Sequence, residues 1–362
     1  MKKQLILVAS SFLLAKQVLA VDVCVDGKFV SLAAALNEVI TQNEPNNIIR
    51  IQAGKHLAPN GGWQLQLPAN ANLVIQGGYV YSPTLDCFER DESSMTILDG
   101  GGAQRPLTII AQGNSNIEIS ELAFHNGKAN DQLGGGLLIM GSGGMGSQTY
   151  SGDILIENNT FGNNTVPDNG TSMGGGLAAG TAGDLNVRNN LFAGNSAGNA
   201  YAAFLWNDEP LINQKNAAYV GNNTFSGNIP LPGGAGPFFA VQYDAPGTTA
   251  MFTNNIFWGN LIVGQPTFDI DLSNPITLSK NDIERVGNGL LPAGNFSVDP
   301  LFVNAANGNF RLSAASSLIG QGENNPSGGT TNVDLDGMPR KIGTIDLGAY
   351  EFDRIFKNGF DN

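Results

Sequence analysis

Charge is what this chain has least of: Asp, Glu, Lys and Arg together make up 14% of its 362 residues, against about a quarter in an ordinary globular domain. Eighteen of the charges are basic and 31 acidic, a formal net charge of −13. Nucleic acid is therefore excluded as a partner, because binding it takes basic patches that displace counterions and none is visible. The same balance weighs against a polyanionic substrate held without a metal. Long hydrophobic runs are also missing. The longest, from Leu5 to Ala15, is too short to cross a bilayer, so no transmembrane helix is expected. Only two histidines occur, His56 and His125, and each stands alone, reading as corner or surface packing rather than as a catalytic base. The glycine-rich stretches Gly134–Gly136 and Gly174–Gly176 lack the Lys-Ser or Lys-Thr that a phosphate-binding loop needs. They read as close backbone packing at a corner.

What the chain does have is a repeat. The segment from Ile154 to Asn164 reads apolar, any, apolar, any, any, Asn, any, Phe, any, any, Asn, and it recurs from Leu185, Ala218 and Ala250, with degenerate copies from Ile117 and Ile276. The Phe-type positions lie 37, 31, 33, 32 and 26 residues apart. Apolar pairs two apart mark strands, and abundant Gly and Asn argue against helical repeats. A period of this size means units that bury their apolar faces only by stacking, and unequal periods fit coils that vary in their loops. The fold class expected is all-β: a right-handed parallel β-helix. Asn159, Asn190, Asn223, Asn255 and Asn281 then fall at one place in successive coils, and Asn164, Asn195, Asn228 and Asn260 at another. Coils stack at about 4.8 Å, so inward amides at those places can bond one to the next as ladders.

The ends read differently. Residues 1–20 look like a signal peptide, with Lys2 and Lys3 before the apolar run and Val18-Leu19-Ala20 as the cleavage site. An exported protein, extracellular or at a bacterial cell surface, follows as the expectation. Cys24 and Cys87 are the two cysteines; in an exported chain they read as a disulfide, two buried thiols being the alternative. Ser31 followed by apolar residues at 32, 36, 39 and 40 predicts a short helix over 31–42 that caps the open end of the solenoid. One β-helix domain is expected over 21–352, with ladder repeats over 117–286 and C-terminal coils over 287–352. The tail 353–362 is a sorting tag or a frayed end.

The segments Asp299-Pro300-Leu301-Phe302, Ser317-Leu318-Ile319-Gly320, Asp334-Leu335-Asp336-Gly337 and Asp346-Leu347-Gly348-Ala349-Tyr350 together resemble the choice-of-anchor Q domain of secreted bacterial β-helix proteins. That resemblance implies a pectin-lyase-like β-helix, exported, often at the cell surface, with no established activity.

Two function classes compete, a non-catalytic surface rod contacting glycans or a protein partner, and a polysaccharide lyase or glycoside hydrolase. The Arg-x-Pro-x-x-Arg pattern of pectate lyases and the Asn-Thr-Asp and Gly-His-Gly signatures of polygalacturonases are absent, which tips the reading to the rod and leaves the enzyme as the alternative. One face nonetheless offers chemistry. Trp206, Gln242 and Asp269 are expected in one row, and Asp208, Asp244 and Asp271 in the next. Asp208, Asp244, Asp269 and Asp271 are the candidate catalytic carboxylates, Trp206, Gln242 and Tyr243 the candidate ligand contacts, and Asp244, Asp269 and Asp271 the candidate metal ligands, the bland reading being a solvated acidic face. Stacked carboxylates repel, and calcium is the cation that would relieve them. No other cofactor is expected, and the rod should be a monomer.

Overall fold

The computed structural model describes residues 20–25, 31–80, 89–91, 94–147, 149–167, 172–207, 216–232, 239–242, 248–260, 268–271, 276–341 and 343–352. Among these, three long sheets run the length of the molecule. Each middle coil gives one strand to each sheet. Ile154–Glu157 belongs to the first, sheet A; Thr160–Gly162 to the second, sheet B; and Leu177–Thr181 to the third, sheet C. Equivalent strands of successive coils pair in parallel and in register, as Ile156 does with Ile119 and Val187. The protein is a parallel β-helix.

Alternation decides what goes inside. Ile119, Ile156, Val187, Val220 and Phe252 point inward from sheet A and are fully buried. From sheet B, Phe124, Phe161, Phe192, Phe225 and Phe257 stack face to face, with centroids 4.5 to 5.1 Å apart and planes within 12° of parallel. The in-register pairing of identical residues forces this offset stack, which adds to the area buried.

Helix α1 (Leu32–Gln42) closes the N-terminal end. Ser31 Oγ accepts from the Ala34 N–H (3.2 Å), and Asn43 ends the helix in the left-handed region, at φ 48°. Leu32, Ala35, Leu36 and Val39 are its buried stripe and join Val25, Ile49 and Leu65 in the solenoid core. The strand Ala20–Val25 lies outside Asn46–Gln52 as the first strand of sheet A.

At the other end the chain departs from the expected C-terminal coils. Val286–Gly287 still pairs with Ile270–Asp271, and Phe296 bridges to Asp282. Beyond that the chain reverses. An antiparallel hairpin (Phe302–Asn304 with Asn309–Leu312) leads into a segment that runs back over the outer face of sheet B. Phe310, Ala349 and Tyr350 pack on Leu191, and Leu312, Leu318 and Leu347 pack on Ile256. Side chains of sheet A and of its corner with sheet B hold the strap's carbonyls: Asn254 Nδ2 donates to Glu323 O (3.0 Å), and Arg188 Nη1 and Asn186 Nδ2 both donate to Gly328 O. Arg340, fully buried, reaches Asn189 Oδ1, Ala349 O and the Glu351 carboxylate. This strap, residues 299–352, is a second layer on the solenoid and not a continuation of it.

A cleft under the C-terminal strap

The aromatic and acidic face expected around Trp206 is not an open platform. Its register holds at one step, since Trp206 pairs with Gln242. Trp206 itself, however, is 1% exposed and packed with Leu138, Ala178, Ala200 and Phe204 on the outside of sheet C. Its indole lies flat on Gly180, where a Cβ would come 2.0 Å from Cε2, so only glycine fits beneath it. Gln242 is exposed. Asp269 falls at the other end of its strand from Gln242: Phe239 N–H donates to Asp269 O (3.4 Å), which sets Ile270 beside Phe239. The row Trp206, Gln242, Asp269 is therefore corrected. Asp208, Tyr243 and Asp244 lie outside the described residues, as does the side chain of Asp271. Among the described residues no cluster of three or more His, Cys, Asp or Glu side chains could hold a metal.

Asp269 has a different place, at the foot of an amide ladder. Asn164 Nδ2 donates to Asn195 Oδ1 (3.0 Å), Asn195 to Asn228 (3.0 Å), Asn228 to Asn260 (2.9 Å) and Asn260 to Asp269 Oδ1 (3.1 Å). Asp269 Oδ2 accepts from Arg285 N–H, and burial pushes the carboxyl up to about 7. The first ladder runs Asn159, Asn190, Asn223, Asn255, Asn281 and ends on Asn295, every link between 2.8 and 3.1 Å. All nine amides named from the repeat are buried and belong to these two columns, which leaves them no free group for a ligand. Asn295 is a member that the repeat does not reveal, because it lies 14 residues after Asn281 instead of a full period. A third column also escapes the repeat pattern. Asn72 opens a sheet A strand, Asn116, Asp153 and Asp184 each stand just before one, and each takes the N–H of the next coil on its Oδ1, at 2.8 to 2.9 Å.

A ligand-sized space lies elsewhere, between the strap and the N-terminal half of sheet B. It is a cleft of about 570 Å³. Ala123, Thr160 and Leu191, which face outward in one row of sheet B, form its floor. One wall is Arg90 with Glu121, joined as an ion pair. Opposite stand Arg311 and Asp336, with Nε and Nη2 of the guanidinium donating to the two carboxylate oxygens, and the guanidinium carbon 4.8 Å from the centre of the Tyr350 ring. That bidentate bond is the chief reason the Arg311 guanidinium is held above its ordinary pKa. Asp334, 2% exposed, accepts from the N–H groups of Asp336, Met338 and Glu351. Burial raises its pKa despite those bonds. It serves as the turn's internal anchor, and the side chains that face the cleft come from residues on either side of it.

No family model matches this chain, and no curated protein matches it either. Among the described residues no helix is long and apolar enough to cross a membrane.

Proposed function

We propose that the protein is an exported, surface-associated β-helix that binds a glycan in the cleft under its C-terminal strap and performs no chemistry on it. The observation that carries this reading is that the cleft's carboxylates are all engaged: Glu121 by Arg90, Asp336 by Arg311, and Asp334 by three backbone N–H groups. A general acid or base needs a carboxyl whose proton is free to move. Groups already bonded to guanidinium are instead suited to orient hydroxyls above an apolar floor, the usual composition of a small-ligand site. The resemblance of residues 287–352 to the choice-of-anchor Q domain, and of the solenoid to pectin-lyase-like proteins, belongs to the same proposal and supports export and a cell-surface setting. So does the leader-like segment 1–20.

The test is retention of the purified protein on immobilised polysaccharides, alongside an assay for released unsaturated or reducing sugars with and without calcium. Retention without release is expected, with Arg311→Ala weakening it. Release of sugar from any polysaccharide would replace this reading with the lyase or hydrolase alternative, and absence of retention on every glycan would remove the glycan from it.

A further inference from the structure

The corner between sheets A and B is built by one residue per coil in the left-handed region. Asn158, Asn189, Asn222 and Asn254 fill it at φ 56°, 56°, 53° and 62°. Asn is the side chain that tolerates this conformation best after Gly. Neighbouring members also bond to each other, Asn189 Nδ2 to Asn158 Oδ1 and Asn254 Nδ2 to Asn222 Oδ1. In the same column two residues break the rule, Glu121 at φ 58° and Lys280 at φ 59°. Lys280 has a packing partner, its ammonium lying over the Phe296 ring at 5.8 Å. Glu121 has the ion pair with Arg90, its own side chain 13% exposed and that of Arg90 35%, so the pair is open to solvent on the arginine side and its stabilising effect is reduced. A strained residue in place of a better-fitting one is expected where it serves a ligand, and Glu121 puts its carboxylate on the wall of the cleft.

We propose that Glu121 is a ligand-contacting residue and that the cleft selects an uncharged saccharide. This rests on the glycan-binding role above and names the class of glycan. A uronate or sulfated sugar would have to break the Arg90–Glu121 or the Arg311–Asp336 pair to find a counter-charge, and would approach a protein of net charge −13. An uncharged pyranose leaves both pairs intact. Hydroxyls donate to the Glu121 and Asp336 carboxylates and accept from the guanidinium N–H groups, while the C–H face of the ring lies on Ala123 and Leu191.

The test is titration calorimetry of the full-length protein with malto-, cello- and manno-oligosaccharides and with oligogalacturonate, together with thermal melting, on the wild type and Glu121→Asn. Asn is what the corner carries in four other coils, and the amide introduced by this substitution would meet Asn158 as Asn158 meets Asn189. The variant should therefore melt at the same temperature or higher. At least one neutral oligosaccharide should bind the wild type, and Glu121→Asn should weaken it at least about tenfold, the loss of one charge-assisted hydrogen bond. Preference for oligogalacturonate would overturn the uncharged class and leave the glycan-binding role standing. Unchanged affinity in Glu121→Asn, or a lower melting temperature, would show that Glu121 serves the fold and not the ligand. Binding of no oligosaccharide at all would sink this inference and the binding role together.

Discussion

Adjacent asparagines in this chain do unlike work. In Asn163-Asn164 the first residue is exposed with φ 55°, and the second is fully buried in a ladder. Asn164 Oδ1 accepts from Gly127 N–H, and its amide donates to Phe124 O and to Asn195. Removing that side chain strands a buried donor and acceptors, so Asn164→Ala should cost about 1–3 kcal/mol. Asn163→Gly keeps the left-handed backbone and should change stability by no more than about 0.5 kcal/mol. Denaturant unfolding of both variants measures the difference, and equal losses would mean that the ladder contributes nothing beyond the turn. The inward ladders were legible from spacing alone, because identical residues recur at identical places in the repeat. The role of Glu121 was not: the sequence shows a copy of the repeat with Leu122 in the ladder position, and only the backbone angle reveals what stands before it. Trp206 misled for a related reason. Alternation puts it on the outer face, but whether an outer face is wet depends on what packs over it.

Element by element, the strands of sheets A and C and the capping helix follow from local pattern, since α1 has its cap, its buried stripe and its left-handed end all in one short stretch. The strap does not. Its partners lie far away in sequence, Arg340 and Asn189 being 151 residues apart, and no periodicity announces a chain reversal. The N-terminal strand is held by its parallel pairing with Asn46–Gln52. Cys24 lies on it, paired opposite Arg50, and among the described residues no cysteine is free; Cys87 lies outside the described residues. A bridge between the two would close a loop around the first coil and stabilise the chain by about 2–4 kcal/mol. Alkylation of the purified protein without reductant should add no mass, and reduction should lower its melting temperature. Two alkylated thiols on unreduced protein would rule the bridge out.

For the whole molecule, the scarcity of positive charge and the burial of acids at the far end of the stack act in one direction. Asp269, at the foot of the second ladder, and Asp282, whose Oδ2 is buried without a partner, are both pushed up to about 7 by burial. An unfolded carboxyl titrates near about 4. Between those values the folded chain holds protons that the unfolded chain has released, so stability falls as pH rises through that window and levels off above it. The net charge of −13 at neutral pH adds self-repulsion of the same sign. Asp99 opposes them: burial pushes it up, but hydrogen bonds from Lys55, Gly101 and Asn126 together hold it below its ordinary value. Its contribution is present above about pH 4 and is lost only as the pH falls through its lowered pKa. The protein should therefore melt several degrees higher at about pH 5 than at about pH 8. In Asp282→Asn, which cannot ionise there, the difference should shrink. A melting temperature that is flat or rising toward pH 8 would mean that Asp269 and Asp282 are ionised throughout in the folded chain, and that the end of the stack is open enough to hydrate them.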